Sequence, residues 1–358
     1  MPQNSVFHIR EPKKAGRLEL LDFLRGAGML LVLLHHSEVP KAYWILAFHM
    51  PLLFLLSGYT VSRIPLKARF ADFLRSRFLR LMIPYFLFEG INLLVWSLSL
   101  FLQGGWQDVS EAVTAIVSCV NTEGYTGYYG RLWFWPCMFV SDMFFYCVLQ
   151  YSPRSEKARY AFQFGMIPVL FGISWVTCRI LPGRLPFTVD TAFMATGFLL
   201  TGYLLGPQIT WLLEKKHPVA DCALLLVTLT GLILCVSSGK TDFLMFINLY
   251  GHYGLSICAA YCGSIAFLIL AKWLYSLCVR ADILKSLVLW YGYHSLGTFP
   301  MHLSVKMMIY YLLPLSCRKW YILLPAMLIL NIPLVNFITR YLPFLLGSFP
   351  KPAPKTKE

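Results

Sequence analysis

Charge is scarce in this chain. Of its 358 residues only 13% are Asp, Glu, Lys or Arg, about half the share found in soluble domains. Acidic residues are the rarer kind, 17 against 31 basic. A water-soluble globule of this size cannot hide an apolar fraction of 58%, because much of any folded surface faces solvent. A soluble enzyme is therefore excluded, as are a disordered chain and a collagen-like one. The sequence also has no CxxC pair among its ten cysteines. Cys258 and Cys262 stand one helical turn apart, but no histidine accompanies them at zinc-site spacing. The cysteines, lying mostly in apolar runs, are expected to be buried thiols, neither metal ligands nor disulfides. No repeat of fixed period is present. The first 17 residues lack the apolar core and cleavage site of a signal peptide, and none is expected.

What remains is a membrane composition, with a mean hydropathy of +0.61. Apolar runs of spanning length fall at 18–37, 44–62, 81–102, 132–151, 160–181, 187–206, 218–237, 250–271, 286–313 and 320–346. The widest gap, 103–131, holds Gly104, Gly105, Asp108, Glu111, Glu123 and Gly124 and reads as a re-entrant or surface segment. The formal charge of +14 would suggest nucleic acid in a soluble protein. In a membrane protein it reflects the gathering of Lys and Arg in cytoplasmic loops. With the N-terminus inside, 21 basic residues fall on the inner side and 7 on the outer. The expectation is an all-α, polytopic integral membrane protein with about ten transmembrane helices and both termini cytoplasmic. Residues 1–17 form a basic cytoplasmic segment, 18–346 the transmembrane domain and 347–358 a short cytoplasmic tail. No nucleic-acid partner is expected; lipid is.

The first apolar run, RLELLDFLRGAGMLLVLLHHSEVP, carries Arg25 deep inside and His36 near its far end. Ionisable groups within a span are costly and usually functional. The two are eleven residues apart, which brings them back to nearly the same helix face, about 16 Å apart along the axis. His35 lies about 80° from Arg25 and fits that face less well. Asp22 sits three residues before Arg25 and can neutralise it. Gly26 and Gly28 would let a neighbouring helix approach closely. The bland alternative is a snorkelling Arg25 and an interfacial His36.

Further motifs follow in order: FHMPLLFLLSGY (Phe48 to Tyr59), Arg77 and Arg80 ahead of Pro84, LWF (Leu132 to Phe134), and Gly292–Ser295 with His302. On these residues the sequence resembles the membrane-bound acyltransferase 3 family, in particular its sugar O-acetylase-like, fucose 4-O-acetylase-like branch. Arg25 and His36 match the family's Arg-x10-His pattern. The matches are ordered along residues 17–305. No hydrolase-like extracytoplasmic domain accompanies them, so a stand-alone membrane enzyme is expected.

The resemblance implies transfer of an acyl group, acetyl by preference, from cytoplasmic acyl-CoA to a hydroxyl of a cell-surface or lipid-linked glycan at the plasma membrane. Acetyl-CoA is then a donor substrate, and no permanently bound cofactor or metal is expected. His36 is the expected catalytic imidazole, as general base or transient acyl carrier, with Glu38 the nearest acid to support it. Arg25, Arg77 and Arg80 are the expected donor-binding residues, since guanidinium forks pair well with phosphate. Plain positive-inside topology with anionic lipid contact would explain the Arg63–Arg80 loop equally on composition. His35, His49 and His302 are candidates for substrate contact or proton relay. Glu89 and Asp142 are intramembrane acids that either line a cavity or pair with arginine. Ser57, with no G-x-S-x-G or Ser-x-x-Lys around it, reads as a packing hydroxyl. Trp133, Phe134 and Trp135 read as an interfacial belt. A transporter without acyl chemistry is the competing reading, since buried charges also mark substrate paths; it would call for an inverted repeat, which the sequence does not show.

Overall fold

The computed structural model describes residues 19–63, 69–102, 109–120, 132–181, 184–215, 217–278, 282–312, 314 and 318–347. The basic segment 1–17, the tail residues 348–358, Lys67, Asp108, Glu123, Arg131 and Arg280 lie outside the described residues. Among the described residues there is no β-strand, only an isolated bridge between Leu244 and Leu249.

Each of the ten apolar runs falls on a helix or a helix pair. α1 is Glu19–His36. α2 (Tyr43–Leu46) leads into α3 (His49–Arg63). α4 (Phe70–Arg77) continues through a π-helical turn, Phe78–Met82, into α5 (Ile83–Leu102). α6 (Ser110–Ser118) lies in the gap expected to be re-entrant or superficial, ahead of α7 (Phe134–Gln150). α8 is Glu156–Ile180, α9 Val189–Leu204 and α10 Gly206–Glu214. α11 (Pro218–Ser237) and α12 (Tyr253–Leu277) pair side by side. α13 (Asp282–Tyr293), α14 (Ser295–Leu312) and α15 (Trp320–Tyr341) complete the bundle.

Six segments are long and apolar enough to cross a bilayer unaided: Tyr43–Arg63, Phe70–Leu102, Glu156–Ile180, Pro218–Ser237, Tyr253–Leu277 and Trp320–Tyr341. A seventh, Pro186–Leu204 with Gly206–Glu214, is bent by 62°. The chain is thus a multi-pass membrane protein, and among the described residues six to seven segments pass by length and apolarity, against the ten runs counted from hydropathy. The difference has physical causes. α1 carries Glu19, Asp22 and Arg25; α7 is short; and the 286–313 run breaks at His294 into α13 and α14. α1, α7 and α14 nonetheless carry Arg25, His35, His36, Asp142, Ser295 and His302 of the candidate site.

Polar helices turn inward because lipid cannot satisfy them. Nearly all of α9 is buried, while α8, α11 and α15 present Ile180, Leu226, Leu234 and Ile329 outward. Two glycine pairs set the central spacing. A Cβ on Gly26 would meet the Val288 carbonyl at 1.9 Å, and one on Gly292 the Asp22 carbonyl at 1.9 Å. Across the α3–α9 contact, Gly58 would meet the Leu199 carbonyl at 1.8 Å and Gly202 the Leu55 carbonyl at 2.0 Å. Gly26 therefore does what its position in α1 promised; Gly28 meets only the Leu53 side chain. The π-helical turn stands just before Pro84, which has no N–H to return to the carbonyl of Arg80.

Two buried ion pairs brace the periphery. Lys272, one of the 21 basic residues assigned to the inner side by the charge count, is buried: its Nζ lies 2.7 Å from Asp221 Oδ2 and donates to the Leu212 and Lys215 carbonyls at 2.7 Å, closing the C-terminus of α10. Arg184 pairs with Asp190 at 2.5 Å and donates to Thr191 Oγ1 at 3.0 Å. The described cysteines are all free thiols, but Cys222 and Cys258 are exposed rather than buried.

Candidate active site

Two polar layers lie along α1, one near each end. The first surrounds a cavity of about 270 Å³. Arg25 reaches across it from α1 to α3, where its Nη2 donates to Thr60 Oγ1 at 2.8 Å; its Nη1 lies 3.2 Å from Asp22 Oδ1. Arg77, at the end of α4, pairs with Asp142 of α7 at 3.2 Å and covers the Phe73 ring. Arg25, Ser57, Thr60, Arg77, Asp142 and Ser295 all line this space. Asp142 is thus both a cavity acid and an arginine partner. Arg80 sits in the π-helical turn, exposed, and is not among the lining residues. The Ser57 hydroxyl, though it lines the cavity, donates back to the Leu53 carbonyl at 2.8 Å, as a packing hydroxyl does.

The second layer is a row of four imidazoles. His49 and His35 have ring centroids 5.1 Å apart, His35 and His36 5.2 Å, and His36 and His302 4.9 Å. The helical wheel favoured His36 alone; the structure gathers His35 as well, because α3 begins with His49 directly beside it. His49 and His302 are buried. Each sets a ring nitrogen against a carbonyl one turn back: His49 Nδ1 on Ile45 at 2.9 Å, and His302 Nδ1 on Thr298 at 3.3 Å. The rings form a row rather than a converging set. Among the described residues no group of three or more His, Cys, Asp or Glu is arranged to hold a metal ion.

Glu38 lies beside this row but turns to other partners. Its carboxylate accepts from the Tyr310 hydroxyl and pairs with Lys306 at 3.1 Å. Among the described residues no hydrogen bond joins it to His36. Partial burial pushes the Glu38 pKa up, but the Tyr310 hydroxyl and the Lys306 charge outweigh it, and the net direction is down. The residue occupies left-handed backbone, φ 63°, in the tight reversal between α1 and α2. Arg318 stacks its guanidinium on the Tyr310 ring and completes this charged rim.

One aromatic layer separates the cavity from the imidazoles. Phe299 and Phe134, both in the cavity wall, have centroids 4.9 Å apart, and Phe299 also meets His302 at 5.7 Å. Phe54 backs Phe134 at 5.0 Å. The WFW stretch is therefore no interfacial belt: Trp135 is 2% exposed and packs on Phe88 and Phe299. Glu89 does not line the cavity; it is buried and accepts the Leu132 N–H just before α7.

Sequence reasoning missed Thr60 and could not name the Arg77–Asp142 pair, whose members are far apart in the chain. An acid in an otherwise apolar run was the available signal for Asp142.

An arginine-lined cavity walled by aromatics, with an imidazole row beyond it, is thus the candidate site. In the family comparison a model described as an acyltransferase domain matches residues 18–350. The chain belongs to the membrane-bound acyltransferase 3 family and is by that membership an acyltransferase. No curated protein and no solved structure matches it.

Proposed function

We propose that the protein is an O-acyltransferase of the plasma membrane, carrying an acyl group, acetyl by preference, from cytoplasmic acyl-CoA to a hydroxyl of a cell-surface or lipid-linked glycan. In this reading the ten helical units cross the bilayer in alternation, with both termini cytoplasmic. The charge count supports that orientation. It turns the Arg25–Arg77 cavity toward the cytoplasm and the imidazole row toward the outside.

The observation that carries the reading is the stacking, on α1 and α14 together, of an arginine-lined cavity and an imidazole row only one aromatic ring apart. An acyl-CoA is a long, thin donor with phosphates at one end and a thioester at the other. Arg25 and Arg77 hold the phosphate-bearing portion, with Arg80 steering it from the exposed turn. The arm passes between α1, α3 and α14, and the thioester comes to lie near His36. The acceptor approaches from the rim made by Glu38, Lys306 and Tyr310.

In the reaction the acceptor oxygen attacks the thioester carbon. A C–O bond forms, the C–S bond breaks, and the hydroxyl proton passes through the His36 imidazole to the departing sulfur, releasing CoA as thiol. If His36 itself accepts the acyl group first, a C–N bond forms as the C–S bond breaks and the ring proton goes to the sulfur; the acceptor oxygen then forms the C–O bond as the C–N bond breaks, and its proton returns to the ring.

The test is release of free CoA thiol by purified protein given acetyl-CoA and a candidate glycan, with mass spectrometry of the glycan. The reading expects thiol release matched by a gain of one acetyl group per thiol. Solute uptake into vesicles without thiol release would replace it with transport.

A further inference from the structure

The catalytic imidazole of an acyl-transfer site needs a partner that fixes its tautomer, a task performed by a carboxylate in the serine-protease triad. Glu38 is the acid nearest His36 in sequence, yet its carboxylate is taken by Lys306 and Tyr310. What faces His36 instead is His302 of α14, ring centroid 4.9 Å away.

His302 is 0% exposed. Its Nδ1 lies 3.3 Å from the Thr298 carbonyl, an atom that only accepts, so Nδ1 carries the proton. Its Nε2 is then a bare lone pair. That atom is buried and has no hydrogen-bond partner among the described residues. A buried acceptor left unpaired is costly, so it is expected to be satisfied at some stage of the working cycle. At the observed ring separation, facing nitrogens of His302 and His36 come within hydrogen-bonding reach, about 3 Å, with a small rotation of either ring. Catalytic hydrogen bonds are commonly long before substrate arrives.

We infer that His302 is the positioning residue for His36: its Nε2 accepts the N–H of the His36 ring, which turns the other His36 nitrogen, as a lone pair, toward the acceptor hydroxyl. The inference rests on the acyl-transfer reading above and adds a named partner to it. The order is Thr298 carbonyl, His302, His36, acceptor, each group donating to the one before it. When the hydroxyl proton reaches His36, the imidazolium so formed shares its opposite N–H with His302. The proton returns from His36 to the CoA sulfur as the C–S bond breaks, and both rings end as they began. His302 touches neither donor nor acceptor. α13 and α14 part at His294, and α14 so oriented sets His302 at the level of His36 while Ser295 and Phe299 of the same helix line the donor cavity.

The experiment compares His302→Gln, whose amide oxygen keeps an acceptor near the Nε2 position, with His302→Leu, which fills the space without one. Steady-state kinetics are measured with acetyl-CoA and the glycan on which the wild type is active. His302→Leu is expected to lower kcat about 100-fold with KM for both substrates within about threefold, and His302→Gln to recover at least about tenfold of that loss. Should His302→Leu not yield monodisperse protein, His302→Ala takes its place in the same comparison. Equal losses in the acceptor and non-acceptor variants, or no loss in either, overturn the inference. Neither outcome touches the acyl-transfer reading, which fails only if the wild-type protein transfers no acyl group.

Discussion

The close backbone approach of α1 and α13 at Gly26 and Gly292 makes a quantitative prediction. In Gly26→Ala the new methyl would sit 1.9 Å from the Val288 carbonyl oxygen and 2.9 Å from the Gly292 nitrogen. Both neighbours are backbone, so no rotamer change relieves them. The helices must part by about 1.5 Å to restore van der Waals contact. Overpacking of this kind costs about 1–3 kcal/mol. The same displacement carries Arg25 and His36 away from α14, and misplacement of about 1 Å can cost 100-fold in rate. Gly26→Ala, which touches no reacting group, is therefore expected to lower both the melting temperature in detergent and kcat. Gly292→Ala meets the Asp22 carbonyl at 1.9 Å and should behave alike. Gly90→Ala, with nothing within 4 Å, is the control and should leave both values unchanged or slightly raised. Wild-type stability and rate in Gly26→Ala would refute the account of how α1 is seated.

Three other predictions follow from polar contacts. Lys272→Met strands Asp221 in a buried position and should cost about 3–5 kcal/mol, read as a fall in thermal stability; an unchanged melting temperature would show that the α10–α12 brace contributes nothing. Asp142→Asn and Arg77→Gln should be coupled by about 1 kcal/mol in a double-mutant cycle, a modest value because the Arg77 side chain is 27% exposed and partly screened; strict additivity would mean that the pair is not formed. The lowered Glu38 pKa gives stability that is present above the unfolded value, about 4.3, and is lost as pH falls through the folded one. Tyr310→Phe removes part of that lowering, so the wild type's margin over Tyr310→Phe should shrink as thermal melts are taken to lower pH; a constant margin would contradict it.

Much of the site was legible in α1 alone. The eleven-residue spacing of Arg25 and His36 put both on one face; Arg25 lines the cavity that Ser295 and Phe299 of α14 also line, and His36 meets His302 of α14. The glycine after Arg25 announced the close approach that α13 makes. What the sequence could not convey was pairing between distant helices. Arg77 and Asp142, or His36 and His302, become neighbours only through tertiary packing, which leaves no local pattern in the chain. The break at His294 was hidden for a similar reason: YGYHSLG reads as an unbroken apolar run. The WFW stretch misled because aromatic clusters at a helix start usually mark an interface, whereas here they roof a cavity. Hydropathy also treated all ten runs alike, although α1 and α14 are interior helices whose ionisable groups are tolerated because other helices surround them.

The account stands or falls on passage of an acyl group from the arginine cavity to the imidazole row. The direct measurement uses sealed proteoliposomes containing the purified protein, with acyl-labelled acetyl-CoA confined to the face bearing Arg77 and the glycan acceptor confined to the other. Label should appear on the glycan, and His36→Ala, correctly inserted, should abolish it. Label that stays with CoA in the wild type, or reaches the glycan equally well without the His36 imidazole, would contradict the account.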